Sequence, residues 1–308
     1  MPEALQALVV GAGPAGMTAG VYLARAQIGA LVLSQDIGGQ AAWGPEIKNY
    51  LGYRVISGVE LVNRFYEHLS SFPQVRQEFA QVKQVVRQDD GRFLVTADGT
   101  KYLAEAVVYA AGRSPRKLHV PGETEYLGLG VSYCPVCDGP LFPGKRVAVA
   151  GGGNSGFAAA VQMCSIASHV TVIEVADQVP AAADYQRRLA REPKAEMLTA
   201  TRIVEILGDQ GGMTGLRVEN VHTGEQRELE VQGLFVEIGS EPNSGPVADL
   251  VKLTATGEIE VTPDCKTSVP GLFAAGDVTN VPEKQIIVAA GEGAKAALSA
   301  VDYLLRKG

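Results

Sequence analysis

Cys134 and Cys137 stand three positions apart in the stretch SYCPVCDGPLF, residues 132–142, of a chain with four cysteines. The C-x-x-C spacing suits half of a zinc site, a structural pair, or a dithiol that makes and breaks a disulfide as its work. Zinc needs two more ligands, yet Cys164, Cys265, His68, His119, His169 and His222 form no second C-x-x-C and no histidine pair at zinc spacing. Cys164 lies in a helical pattern and reads as a small buried hydrophobe, and the histidines as structural or surface residues. Asp138 follows the pair directly and reads either as a helix or turn cap or as an acid that handles a thiol's proton. The working nucleophile is the thiolate, so one member needs surroundings that favour ionisation.

Two glycine-rich turns flank this pair in sequence. In ALVVGAGPAGMTAGVYLARAQIG an apolar run (Ala7–Val10) leads into Gly11, Gly13, Pro14, Ala15 and Gly16, then a helical pattern and a second apolar run, Ala30–Leu33. The order strand, glycine turn, helix, strand opens a βαβ unit. Gly11 serves the tight turn, Gly13 lets backbone approach a pyrophosphate, and Gly16 lets helix and strand pack closely. The pattern recurs 140 residues later as Val147–Ala150, then Gly151, Gly153, Asn154, Ser155 and Gly156, a small-residue helix, and a β-branched strand ending at Glu174. Residues 11–24 and 151–164 share five of fourteen residues, three of them the glycines. One such turn is weak evidence; two, each between an apolar strand and a helical pattern, predict two dinucleotide sites.

Each turn is followed by alternating strands. GRFLVTADGTKYLAEAVVYAAG turns at Ala-Asp-Gly and ends in an apolar strand, Ala106–Ala110; GLRVENVHTGEQRELEVQGLFVEIG repeats the pattern around Thr223-Gly224. A strand, a Gly-Asp turn and a long amphipathic helix close the chain. A length of 308 residues allows two domains, and 46% apolar residues with 36 glycines describe an ordinary soluble α/β protein. No apolar run approaches the ~18–20 residues of a membrane span, and the first residues lack the basic region of a secretory signal. A net charge of −7 with scattered basic residues argues against nucleic acid. The expected location is cytoplasmic, where a kept disulfide is unusual and a working one is not.

The segments GAGPAG, GGQ (38–40), CPVCDG, GGGNSG and GLFAAGDV occur in the order seen in low-molecular-weight thioredoxin reductases. YCPVCDGPLFPGKRVAVAGGGNSG and KQIIVAAGEGAKAALSAVDYL resemble more narrowly the C-terminal flavoprotein portion of the alkyl hydroperoxide reductase flavoprotein subunit. The resemblance spans the whole chain. It implies two Rossmann-like, three-layer ββα dinucleotide-binding domains, the second inserted in the first: residues 1–113 and 245–308 for FAD, and 114–244 for NAD(P)H and the C-x-x-C. It also implies an inserted domain that rotates, and a homodimer. By motif, Gly11–Gly16 hold the FAD pyrophosphate, Ser34 and Gln35 its ribose, and Gly39, Gln40 and Asn49 line the flavin. Asp277, after Gly276, contacts the ribityl chain, Gln285 and Ile286 begin the helix facing the flavin ring, and Ala111, Gly112 and Lys284 complete the set. Cys137 becomes the flavin's partner, Cys134 the more exposed attacker of a substrate disulfide, and Asp138 the acid.

Two departures refine the expectation. Thioredoxin reductases usually carry a basic cluster after the second glycine turn, whereas here Glu174, 23 residues after Gly151, is followed by Val175 and Ala176. A carboxylate accepts hydrogen bonds from a ribose 2′-OH and repels a phosphate, so the expected electron source is NADH ahead of NADPH. The alternative leaves Glu174 as a solvated strand end, with Arg187 or Arg188 holding the phosphate. Second, the peroxide-reducing flavoprotein has an N-terminal thioredoxin-like region with its own C-x-x-C, and the first glycine turn at Gly11 leads to the expectation that this region is missing. The acceptor is then a separate thioredoxin- or glutaredoxin-like protein, feeding a peroxiredoxin. Competing readings are an NADPH-dependent thioredoxin reductase, a flavin NADH oxidase or diaphorase, and a non-enzymatic flavin sensor.

Overall fold

Strand β1 (Glu3–Val10) is buried where the apolar run ALVV begins, and the chain turns at Gly11 into helix α1 (Pro14–Arg25), whose proline occupies the first turn, where its missing N–H costs nothing. The structure, a computed structural model, describes residues 2–43 and 46–307. Along the chain follow β2 (Ala30–Ser34), α2 (Gly58–Ser70), β3 (Val75–Phe79), β4 (Val82–Arg87), β5 (Phe93–Ala97), β6 (Thr100–Tyr109) and β7 (Arg113–Pro115). Ser57 caps α2 by accepting the Glu60 N–H at 3.2 Å. Next come β8 (Val131–Ser132), α3 (Pro135–Asp138), β9 (Arg146–Ala150), α4 (Asn154–Cys164), β10 (His169–Ile173), α5 (Ala183–Leu189) and β11 (Ala195–Leu198). The rest is β12 (Thr201–Asp209), β13 (Gly212–Asn220), β14 (Gln226–Glu230), β15 (Gly233–Val236), β16 (Ser240–Pro242), β17 (Leu272–Ala274) and α6 (Ile286–Lys307).

These elements form two units, one from Met1–Trp43, Ile47–Ser114 and Glu241–Gly308, the other built on Pro115–Ser240. Ser240–Pro242 and Arg113–Pro115 pair as a two-stranded sheet.

In the first unit β3, β2, β1 and β6 run parallel in that order. The second half of β6 pairs in parallel with β17, Val107 to Tyr109 against Leu272 to Ala274. Its first half instead pairs antiparallel with β5, which pairs with β4. One strand thus serves both a parallel sheet and an antiparallel meander. Two apolar layers result. Val9, Val32, Val108 and Phe273 face the helices through Met17, Leu23 and Ala297, and Leu8, Leu31, Val107 and Leu272 face the meander through Phe93 and Val95. Alternate residues of one strand enter opposite layers, as a sheet covered on both faces requires.

The second unit repeats the plan. Its parallel sheet has the order β11-β10-β9-β15-β8, with β12-β13-β14 as a separate antiparallel layer. Val147, Val149 and Phe235 pack on Phe157 and Met163 of α4; Ala148, Ala150 and Leu234 pack on Ile206 and Leu216 of the antiparallel layer. Each fully buried Leu or Phe contributes about 1.5–3 kcal/mol.

The same contact closes both copies. A Cβ on Gly16 would lie 1.8 Å from the Gly11 carbonyl oxygen, and one on Gly156 1.9 Å from that of Gly151. Gly11 and Gly151 hold φ of +102° and +113°, a region that side chains with a Cβ rarely enter. Gly156→Ala is therefore expected to destabilise the protein by about 3 kcal/mol or more, read as a lower urea midpoint; wild-type stability would show that the loop can relax.

Candidate active site: a disulfide and two dinucleotide loops

Ser132 ends β8, beside Phe235 of β15, so the C-x-x-C leaves the sheet at the C-terminal ends of its strands, the edge that also carries the 151–156 loop. Cys134 and Cys137 are joined as a disulfide across the short helix α3. Both are half-buried, so burial does not single out Cys134 as the more exposed member. The Cys137 N–H points at Cys134 Sγ at 3.3 Å.

Asp138 is only 9% exposed. Its Oδ2 accepts the Ser132 hydroxyl at 2.6 Å, and the Ser132 oxygen accepts the Cys134 N–H at 3.0 Å. Oδ1 is buried with no hydrogen-bond partner among the described residues. Burial raises the Asp138 carboxyl above the usual carboxylate range, and the Ser132 hydrogen bond opposes it. Asp138 is thus more than a cap: it is a buried carboxylate with one free oxygen, adjoining the disulfide in sequence.

Around the second loop, Glu174 follows β10 and is 9% exposed. Its Oε2 accepts the Gly152 N–H at 2.6 Å and its Oε1 the Ala176 N–H at 2.9 Å. A solvated strand end is therefore excluded. Ionised, the two oxygens offer about four lone-pair directions, and these two bonds take one on each. Arg187 pairs with Asp184 on its own helix. Asn154 Oδ1 accepts the Ala182 N–H at 2.8 Å, and Ser155 hydrogen-bonds Glu237, which burial pushes up to about 7. A Cβ on Gly153 would meet no atom within 4 Å among the described residues, so the turn before α4 is open at that position.

The first unit gathers its predicted residues on the matching edge. Gly38 donates its N–H to the Ala12 carbonyl at 2.7 Å, and a Cβ on Gly13 would find only the Gly38 oxygen, at 4.0 Å. Gly11 lies against Ala110 and Ala111, and Gly276 against Ala15. Gly39 and Gly112 face open space. Ser34, with Gln35 next, ends β2 on the same edge. Gln40 donates to the Arg113 carbonyl at 2.6 Å and Asn49 to Gln285 Oε1 at 3.0 Å. Gln285 precedes α6, which starts at Ile286. Burial raises the Asp277 carboxyl, opposed by Lys284 and Arg113. Burial also acts on Glu258, but Lys284 and Arg113 outweigh it and hold that carboxyl low.

These open cradles fit dinucleotides: helix N-termini with free first-turn N–H groups favour a pyrophosphate. Sequence reasoning missed several residues that complete them. Ser132 carries the link between the disulfide turn and Asp138. Asn243 donates to the Ala111 carbonyl at 2.8 Å, and the Tyr109 hydroxyl donates to the Asn243 carbonyl at 2.7 Å. Glu292, a carboxylate in an apolar stretch of α6, accepts the Gly276 N–H at 2.7 Å. Glu237 was legible from the internal repeat, because YAAGRSP (109–115) and VEIGSEP (236–242) share their Gly and Pro and leave equivalent strands.

The raised Asp138 carboxyl makes a stability prediction. The native state binds this proton more tightly than the unfolded chain, so the group's contribution to stability falls as pH rises through its folded pKa. Asp138→Asn should unfold at higher urea than wild type at neutral pH, with the gap closing as pH approaches the ordinary carboxylate range. A gap that widens on acidification would contradict the assignment.

Comparison with known proteins bears on the whole arrangement. The model of the pyridine nucleotide-disulphide oxidoreductase family matches residues 5–293. The F subunit of alkyl hydroperoxide reductase from Pseudomonas putida is 42% identical over 306 residues, covering 99% of this chain and 59% of that relative. A protein named NADH dehydrogenase from Bacillus subtilis (strain 168) is 40% identical over 304 residues, again 99% of this chain and 59% of the relative. The chain thus spans about three fifths of the length of these curated relatives. The crystal structure of thioredoxin reductase from Streptococcus pyogenes MGAS5005 superposes with a TM-score of 0.93 at 35% identity, covering 99% of this chain and 100% of that one. With a disulfide and two dinucleotide loops in its structure and a family match over nearly its whole length, the chain belongs to the pyridine nucleotide-disulphide oxidoreductases.

Proposed function

We propose that the protein is an FAD-dependent disulfide reductase that takes electrons from NADH. It passes them through Cys134 and Cys137 to a separate thioredoxin- or glutaredoxin-like protein, and through that protein to a peroxiredoxin. The carrying observation is the Cys134–Cys137 disulfide, beside a buried carboxylate with a free oxygen, on the sheet edge that bears the second dinucleotide loop.

Residues 1–113 and 245–308 take FAD in this reading, and 114–244 the nicotinamide nucleotide. Gly11, Gly13, Pro14, Ala15 and Gly16 hold the FAD pyrophosphate, Ser34 and Gln35 its ribose, and Asp277 the ribityl chain. Gly39, Gln40, Asn49, Ala111, Gly112, Gly276, Lys284, Gln285 and Ile286 shape the flavin's surroundings. When bound, the flavin supplies the two-electron step that links a nicotinamide hydride to a dithiol. Gly151, Gly153, Asn154, Ser155 and Gly156 receive the second pyrophosphate. Glu174 turns its remaining lone pairs to the adenosine ribose hydroxyls and repels a 2′-phosphate. The Bacillus subtilis relative's name, NADH dehydrogenase, supports the same choice.

At the dithiol, the Cys134 thiolate attacks a sulfur of the acceptor's disulfide and Cys137 resolves the mixed disulfide. Two electrons pass to the acceptor, and the Cys134–Cys137 bond re-forms. Asp138 carries one of the two protons that leave with the acceptor's thiols. A thioredoxin-like acceptor is supported by the likeness to thioredoxin reductase over that enzyme's full chain. A cytoplasmic homodimer belongs to the same reading.

The test is anaerobic titration of the flavin-loaded protein: uptake of two electrons by the flavin and two more by the disulfide is expected, and uptake by the flavin alone would overturn the dithiol's role. NADH should exceed NADPH in kcat/KM by about ten- to a hundredfold, the equivalent of ~1.4–2.8 kcal/mol; a preference for NADPH favours the thioredoxin reductase reading. Replacing both cysteines, Cys134→Ser with Cys137→Ser, should abolish reduction of a thioredoxin-like protein. Turnover with oxygen or a quinone that survives the double replacement, with no reduction of a thioredoxin-like protein by the wild type, would favour the oxidase or diaphorase reading.

A further inference from the structure

We infer that Ser132 is the positioning residue of the proton-handling carboxylate, holding Asp138 Oδ2 so that Oδ1 is the atom that gains and loses the proton. The inference rests on the reading of Asp138 as the dithiol's acid, and it assigns that role to one oxygen and its control to a second residue.

The directions of the two hydrogen bonds follow from the donors available. A backbone N–H can only donate, so at 3.0 Å the Ser132 oxygen must accept from Cys134. That leaves the hydroxyl's single hydrogen for Asp138 Oδ2 at 2.6 Å, the short distance expected for a hydroxyl on a carboxylate. A proton placed on Oδ2 would face that hydrogen and force the hydroxyl to rotate away. Oδ1, buried and without a partner among the described residues, carries no such obstacle. The chain Cys134 N–H, Ser132 hydroxyl, Asp138 carboxylate therefore ties the backbone of one cysteine to the acid that follows the other.

The elements packed around this turn leave control to Ser132. Ser132 itself is 4% exposed at the end of β8, a site that admits little rearrangement. On α4, Gln162 donates to the Pro135 carbonyl at 3.3 Å, and the Met163 sulfur lies against Gly139; both side chains are neutral. Two influences act on the acid's proton, its burial and the Ser132 hydroxyl. Burial favours the neutral acid and the hydroxyl favours the carboxylate. Removing the hydroxyl therefore leaves burial unopposed, and Asp138 holds its proton to higher pH.

The experiment is an infrared pH titration of the oxidised, intact protein, following the carbonyl band of the protonated carboxyl that disappears in Asp138→Asn. Ser132→Ala should move the midpoint of that band upward by about one pH unit, the size of one hydrogen bond to a charged group. Ser132→Val should do the same, while Ser132→Thr, which has the shape of valine but keeps a hydroxyl, should restore the wild-type midpoint. The Thr and Val pair separates the hydroxyl from its volume if the alanine variant folds poorly. An unchanged or lowered midpoint in both Ser132→Ala and Ser132→Val overturns the inference. Turnover with a thioredoxin-like acceptor separates the two levels. Loss of turnover in Asp138→Asn without an infrared shift at Ser132 overturns the Ser132 role alone; full turnover in Asp138→Asn overturns the acid role and, with it, the functional part of this inference.

Discussion

The close approach of a helix to the turn that precedes it organises this protein. At Gly16 and Gly156 no side chain fits, because the carbonyl of the first glycine in each loop stands where a Cβ would be. That contact presses the N-terminus of α1 and of α4 onto the ends of their strands, where the first-turn N–H groups have no partner within their own helix. In the proposed function this packing is what would offer each loop to an anion, since backbone donors and the helix dipole favour one without a charged side chain. The other features of each unit are set around that edge. β6 and β15 deliver the next loop to it, and the first unit adds the Gly276–Asp277 turn, tied to α6 through Glu292.

The two units share a plan and differ in charge. Ser34 and Glu174 occupy equivalent rungs at the ends of β2 and β10, as do Ala110 and Glu237 after β6 and β15. The first loop is lined at both places by neutral residues, the second by carboxylates. Glu174 accepts two backbone N–H groups, and Glu237 is half-buried with a hydroxyl as its neighbour. The proposed preference for NADH rests on this difference, because a carboxylate accepts sugar hydroxyls and repels a phosphate. Duplication supplied the scaffold, and a few side chains at fixed rungs separated the two sites.

The disulfide depends on a different kind of order. Its turn contains few residues, and its polar groups are buried. Burying a carboxylate against one hydroxyl is unfavourable for folding, and the rest of the unit supports it through the apolar layer around Phe157 and Met163. The proposed function gives this locally costly group a use, as the acid of the dithiol. Its position at the strand ends puts it on the edge where the second loop also lies.

Much of this was legible in the residues themselves. Both glycine turns, the apolar strands, the hairpins at Asp98-Gly99 and Thr223-Gly224 and the C-x-x-C are local patterns, governed by backbone sterics and by the period of hydrophobic burial, and they identify the α/β class and the duplication before any folding. The second use of Glu174, as a brace for Gly152 as well as a charge beside the loop, and the roles of Ser132, Asn243, Glu237 and Glu292 have no such local signature. Serine, asparagine and glutamate are common at any surface, and their meaning here arises from burial and from partners. Asn243 meets Ala111 across 132 positions, and Glu174 meets Gly152 across 22. By itself the sequence determined which backbone turns form and how strands and helices alternate, because those preferences act between neighbours. Only the tertiary structure decided which polar groups lose water and what replaces it, because desolvation belongs to the packed whole.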